Sequence, residues 1–162
     1  MKVVGIDPGT AACGYAVVEQ RDGRLHDLEH GCWRTPSRTA PADRLKRIFD
    51  GVTGLIRVHR PDAVALEESF VGVDARTALS VGQARGAVLV ACAVEGVVSR
   101  EYAPNRVKSM LCGYGHADKL QMQGMVKALL GLPRVPTPHH AADALAVAIC
   151  HALAPPLLEV AS

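Results

Sequence analysis

Short unbroken apolar runs and stretches of helical spacing succeed one another along this chain, and the changes between them outline its elements. Lys2 to Asp7 is an apolar run that ends in the turn residues Pro8 and Gly9, the pattern of a buried strand leading into a tight turn. Gly14 to Glu19 and Leu25 to Arg34 read as a second and a third strand, with Asp22 and Gly23 making the hairpin turn between them. From Ala42 the positions Leu45, Ile48, Val52, Leu55, Ile56 and His59 fall at helical spacing until Pro61 stops them, which predicts an amphipathic helix. Ala63 to Leu66 is an apolar strand running into Glu67 and Glu68. Ala75 to Glu95 is a long, nearly uncharged helical stretch, and Val97 to Tyr102 is a fifth strand. Pro104 opens a short helix to Leu111, Gly113 to Gly115 turn the chain, Asp118 opens a helix to Leu130, and Pro138 opens the last, to about Leu153.

The order β-β-β-α-β-α-β-α-α-α predicts an α/β fold: a five-stranded mixed sheet, three antiparallel strands followed by two parallel ones, with helices on both faces. With 162 residues and neither linker nor internal repeat, one domain over residues 1–155 with a short tail at 156–162 is expected. Hydrophobic residues at 49% and charged residues at 21% exclude a disordered chain. The longest run without Asp, Glu, Lys or Arg, Ala144 to Leu158, contains His151 and two prolines, so no membrane span is expected. Met1 and Lys2 lead to Asp7 without the apolar core of a signal peptide, and a soluble cytoplasmic protein is the expectation. The five cysteines are never closer than nineteen positions, which argues against both a disulfide framework and a thiolate zinc site.

Net charge changes the picture only once it is divided along the chain. The total is +2, but residues 1–99 hold 12 basic and 12 acidic side chains, residues 100–134 hold 6 and 2, and residues 135–162 hold 0 and 2. A basic segment between a neutral body and an acidic end is what a phosphate backbone would respond to, since local potential governs that attraction.

The chemistry is concentrated where strands end. Asp7 and Glu67 each follow an apolar run, at the carboxyl ends of strands where sites of open α/β sheets collect. Burial there disfavours both charges, and their mutual repulsion adds to it, a conflict that a divalent cation resolves. A third element begins at Thr137, read as an N-cap with Pro138 at the first helical position; His140 and Asp143 stand at i and i+3, His139 and Asp143 at i and i+4. Ala144 to Ala148 are apolar, which predicts a buried carboxylate at Asp143. Several carboxylates with at most one imidazole suit Mg²⁺ or Mn²⁺, and such sites with two ions serve in-line phosphoryl transfer. Beside a basic segment, that chemistry points to hydrolysis of nucleic acid.

These residues also carry a family likeness. Gly5-Ile6-Asp7-Pro8-Gly9-Thr10, Gly14-Tyr15, Leu66-Glu67 followed by Phe70, Gly82-Gln83-Ala84-Arg85-Gly86, Gly113 and Gly115 before Lys119, and Ala141-Ala142-Asp143-Ala144-Leu145-Ala146 resemble the RuvC family of Holliday-junction resolvases, in order and over almost the whole chain. The resemblance implies a ribonuclease H-like fold and a homodimer that cuts four-way DNA junctions with symmetric nicks, using two Mg²⁺ or Mn²⁺ ions per site and acting with a RuvA and RuvB branch-migration complex. By position it implies Asp7, Glu67, His140 and Asp143 as the metal-binding catalytic set, His140 standing where family members carry Asp or His. It implies Lys119 beside the scissile phosphate, Lys108 near the DNA and Phe70 at the junction crossover; Arg76 and Arg85 complete the DNA-binding set. Ala11 and Ala12 place no cation beside the first motif, and Glu68 puts a second carboxylate beside Glu67.

Two other classes share parts of this pattern. Gly-Ile-Asp-x-Gly-Thr before an apolar strand also opens actin-like ATPases and sugar kinases, which need two such domains around a nucleotide; a non-catalytic junction-binding module would have lost ligands. For the homodimer, Ala78, Gly82 and Gly86 lie four apart on one helix, a flat strip flanked by Leu79, Leu89 and Ala93 where a second backbone can come close.

Overall fold

The computed structural model describes residues 1–68 and 74–154. Residues 69–73, which include Phe70, and 155–162, which take in the tail expected at 156–162, lie outside the described residues. The elements are β1 (Lys2–Asp7), β2 (Ala12–Arg21), β3 (Arg24–Arg34), α1 (Pro41–His59), β4 (Ala63–Glu67), α2 (Ala75–Glu95), β5 (Val98–Tyr102), α3 (Pro104–Cys112), α4 (Lys119–Leu130) and α5 (His139–Leu153). They follow the predicted order, with β2 starting two residues earlier than its apolar run, at Ala12, because it pairs with β3 through to Arg34.

The five strands lie in the order β3-β2-β1-β4-β5. β1 pairs antiparallel with β2 and β2 with β3, whereas β1 with β4 and β4 with β5 are parallel. Side chains alternate between faces, and the two faces bury separate cores. Val4, Ile6, Val17, Val64 and Leu66 meet α1 and α2 on one side; Val3, Ala16, Val18 and Ala65 meet α3, α4 and α5 on the other. α2 has the length and composition of a membrane span, contrary to the expectation that no segment reaches one. Its Ala84, Val88, Ala91 and Cys92 are buried in the α1 core, and Arg85 forks onto Glu101 of β5, with Nε to Oε1 at 2.9 Å and Nη2 to Oε2 at 2.8 Å.

α5 is apolar nearly all round, and every residue from Ala144 to Cys150 is buried, the mark of a core helix. It can lie directly on the sheet only because two positions beneath it have no side chain. A Cβ on Gly5 would stand 2.8 Å from the Ala148 Cβ, and one on Gly14 would stand 3.0 Å from the His140 Cβ, with the Ala144 and His140 carbonyls closer still. Glycine is required there for close backbone approach. The expected cap is corrected: Pro138, not Thr137, occupies the N-cap position, and no side chain caps α5. A proline ring locks its own φ and supplies no acceptor for the free helical N–H groups. By contrast Asp118 caps α4 in a reciprocal capping box with Gln121.

Candidate active site

Backbone pairing alone brings the strand-borne residues together. Tyr102 pairs with Glu67, Asp7 with Gly14, and Gly14 with Cys32, while Glu67 and Asp7 each stand one residue beyond the paired Leu66 and Ile6. One row therefore crosses all five strands, and its side chains leave the sheet on the α5 face. The seat at Gly14 then sets the first turn of α5 over that row. His140 Nδ1 and Asp7 Oδ2 are hydrogen-bonded at 2.7 Å, and ligand atoms of Asp7, His140 and Asp143 all lie within 4.8 Å of one another. His139 is exposed, its ring 4.1 Å from that of His140. Of the two histidines that the helical spacing left open, it is His140 that joins the carboxylates.

Glu67 is outside that ligand-distance group but shares the site. With Asp143, Lys108 and Lys119 it lines a cavity of about 230 Å³ between β4, α3, α4 and α5. Lys119 Nζ stands 3.6 Å from Asp143 Oδ2. Asp143 is half-buried, a correction to the buried carboxylate expected from its apolar neighbours: it occupies the rim of the cavity, where α5 has not yet entered the core. Glu68 is exposed, and its N–H bonds to the Tyr102 carbonyl at 2.9 Å, so it ends the strand facing water.

The electrostatics are those of carboxylates crowded without enough counter-charge. Burial pushes Glu67 up to about 7, with Asp7 and Asp143 adding to the shift and Lys108 and Lys119 opposing it. Burial also raises Asp7; the His140 hydrogen bond works against that, and the Asp143 charge reinforces it. Oxygen donors with one imidazole, held close together and destabilised by mutual repulsion, fit a hard divalent cation. The remaining expected residues are spread along the same edge or away from it. Arg76 is exposed in the first turn of α2, whose cap Asp74 accepts N–H bonds from Arg76 and Thr77, both at 3.1 Å. Arg85 lies on the opposite face of the sheet, its guanidinium engaged by Glu101.

Sequence reasoning passed over the residues that hold this arrangement in place. The turn after Asp7 is tied down on both sides, because Thr10 Oγ1 and Ser80 Oγ are hydrogen-bonded and Thr35 Oγ1–H donates to the Thr10 carbonyl at 2.5 Å. The signal for Gly5 and Gly14 was present, since glycine inside a strand marks close backbone approach, but nothing in the chain said which helix approaches.

The family model for crossover junction endodeoxyribonuclease RuvC matches residues 3–151. The chain belongs to the RuvC family. A RuvC from Rubrobacter xylanophilus is 53% identical over 150 residues, covering 93% of this chain and 84% of its own. The structure of RuvC from Thermus thermophilus aligns with a TM-score of 0.88 at 40% identity, covering 94% of both chains. The same organism's RuvC in complex with a Holliday junction substrate aligns at 0.87 and 37%, again over 94% of each chain. The ribonuclease H-like architecture is thus that of RuvC, and the Gly5-to-Thr10 opening is a RuvC motif here, not the phosphate turn of an actin-like ATPase.

Proposed function

We propose that this site resolves four-way DNA junctions by paired symmetric nicks, each a hydrolysis of one phosphodiester by a water molecule. The observation that carries the reading is the convergence of Asp7, His140 and Asp143 within 4.8 Å beside a cavity shared by Glu67, Lys108 and Lys119, in a chain of the RuvC family. Asp7, His140 and Asp143 would hold one divalent ion, Mg²⁺ or Mn²⁺, and Asp7 with Glu67 a second. When bound, the ions supply the positive charge that polarises the attacking water and offsets charge on the departing oxygen. Lys119, at the mouth of the cavity, binds a non-bridging oxygen of the scissile phosphate, and its approach to Asp143 holds it in place. Lys108 offsets the carboxylate charge that would otherwise repel the strand. Phe70 stacks on a base at the crossover, and Arg76 touches the backbone beside it.

Two cuts need two sites, and one domain carries one, so the active unit is a homodimer about a two-fold axis. The surface that supports this is α2: a Cβ on Gly82 or Gly86 would meet nothing within 4 Å, and Leu79, Val90 and Val94 are 64%, 55% and 63% exposed. The small-residue strip is therefore not used by the chain's own sheet. The protein acts in the cytoplasm, where it receives junctions from RuvA and RuvB.

The test is nicking of a synthetic four-way junction with Mg²⁺ and with Mn²⁺. Asp7→Asn, Glu67→Gln and Asp143→Asn are expected to bind the junction and fail to nick it, because phosphate contacts dominate affinity. Wild-type protein that binds junctions without cutting them would make it a recognition module instead.

A further inference from the structure

The carboxylates sit between two groups of cations. On one side are Lys108 and Lys119, which line the cavity with Glu67. On the other is Arg34, the last residue of β3 and the cross-strand partner of Ala12. Register gives its place. Asp7 pairs with Gly14 and Gly14 with Cys32, so Cys32 stands two strands from Asp7, about 10 Å at about 4.8 Å per strand. Arg34, two residues on, leaves the sheet on the same face, one pleat nearer the edge at which β1 and β4 also end. It is exposed.

The chain then makes a turn in which the Thr39 N–H bonds to the Pro36 carbonyl at 3.0 Å, presenting Arg38 to solvent. That turn is braced from within. Arg44 donates from Nε to the Thr39 carbonyl at 2.9 Å and from Nη2 to the Pro36 carbonyl at 3.1 Å and to that of Ser37. Thr35 anchors it to the turn following Asp7, its N–H bonding to the Ala11 carbonyl at 3.0 Å. Among the described residues, neither Arg34 nor Arg38 has a carboxylate within ion-pair distance, whereas Arg21, Lys46, Arg57 and Arg85 each do. Guanidinium groups with no carboxylate partner among the described residues, Arg34 at the end of β3 beside the Cys32 thiol and Arg38 on the braced turn, on the edge that carries a phosphodiester-cleaving site, match one ligand, the DNA backbone.

We propose that Arg34 and Arg38 bind phosphates of the junction strand on the β3 side of the scissile phosphate, with Lys108 and Lys119 holding the β5 side. The cut strand then crosses the sheet edge from β5 toward β3. The inference rests on the reading of the site as a junction nuclease.

The experiment compares wild type, the double variant Arg34→Gln/Arg38→Gln, and Arg24→Gln/Arg60→Gln, which removes two exposed cations at the far edge of the sheet. Junction affinity is measured against salt concentration, with melting curves confirming that all three fold. The slope of log K against log salt is expected to fall by about 0.9 per lost phosphate contact, hence by roughly 2 in the first pair and not in the second. Neutral methylphosphonates placed singly on either side of the cut should weaken wild type, and the penalties on one side alone should vanish in Arg34→Gln/Arg38→Gln. An unchanged slope in that variant, or an equal change in the far-edge pair, overturns the proposal while junction nicking by wild type stands. Absence of nicking by wild type overturns the nuclease reading, and the proposal with it.

Discussion

Replacing Gly14 with alanine probes the placement of α5 without replacing any proposed ligand. The new methyl would stand 3.0 Å from the His140 Cβ and nearer to the His140 carbonyl, against ordinary contact of 3.4 Å or more. The helix must retreat by about 1 Å, and a misplacement of that size costs on the order of 10²-fold in rate. The 2.7 Å bond between His140 and Asp7 would stretch beyond the roughly 3.2 Å limit of such bonds. Metal ligands tolerate displacements of only about 0.2 Å, so divalent-ion affinity falls with it. Overpacking destabilises by about 1–3 kcal/mol, which at about 2–4 °C per kcal/mol lowers Tm by roughly 2–12 °C and leaves the protein folded at 25 °C. The assay is single-turnover nicking over a Mn²⁺ titration, beside junction binding and thermal melting. Gly124→Ala is the control, since a Cβ there meets nothing within 4 Å; it should nick like wild type and gain about 0.8–1.0 kcal/mol of helix stability. Nicking by Gly14→Ala within threefold of wild type at equal Mn²⁺ would refute the reasoning.

Glu67 predicts a pH dependence in metal-free protein: its folded value is about 7 against an ordinary 4.5, so the folded state holds the proton more tightly. The stability it contributes is full below pH 4.5 and is lost as pH rises toward 7, by about 1–3 kcal/mol after allowing for its partial exposure; melting curves of Glu67→Gln should lack that slope, and added Mg²⁺ should flatten it in wild type. His140→Asp should lower the ratio of Mn²⁺-supported to Mg²⁺-supported nicking, because imidazole favours the softer ion; an unchanged ratio counts against His140 as a ligand. Lys119→Ala should slow nicking more than it weakens binding, one phosphate contact being a small part of affinity. Gly82→Leu should sediment as a folded monomer with uncoordinated cuts, and a dimer that cuts symmetrically would remove α2 as the interface.

The elements were legible because each is locally consistent: Pro8 and Gly9 end β1, Pro61 ends α1, and Pro104 and Asp118 open α3 and α4. Asp7 and Glu67 could be singled out because each ends an apolar run at a strand's carboxyl end, where sites collect, but the choice of Glu67 over Glu68 came from the family likeness. The choice between His139 and His140 was not legible in the helical spacing, since both face Asp143 by it; the family likeness named His140, and in the fold the contact of α5 with Gly14 of β2 decides between them. The same contact explains why Thr137 misled: a good capping residue sits one position too early when packing against the sheet dictates where the helix begins. The engagement of Arg85 was not legible either, since Glu101, sixteen positions on, faces it only through the pairing of β5 with β4. Pairings across the sheet are long-range facts that a local pattern does not contain.

The row that crosses the sheet divides the four proposed ligands by how much error their placement tolerates. Asp7 and Glu67 are adjacent by backbone ladder, one residue past the paired Ile6 and Leu66, so no loop length between them can alter their separation. Insertions after Pro8 or before Pro61 leave it untouched, whereas deleting one residue within β1 would turn Asp7 to the opposite face. His140 and Asp143 instead ride on a helix whose height is set by the absence of two side chains, at Gly5 and Gly14. Apart from such a change of register, drift in the geometry of these four side chains, whether through evolution or through design, enters through the contact between α5 and the sheet.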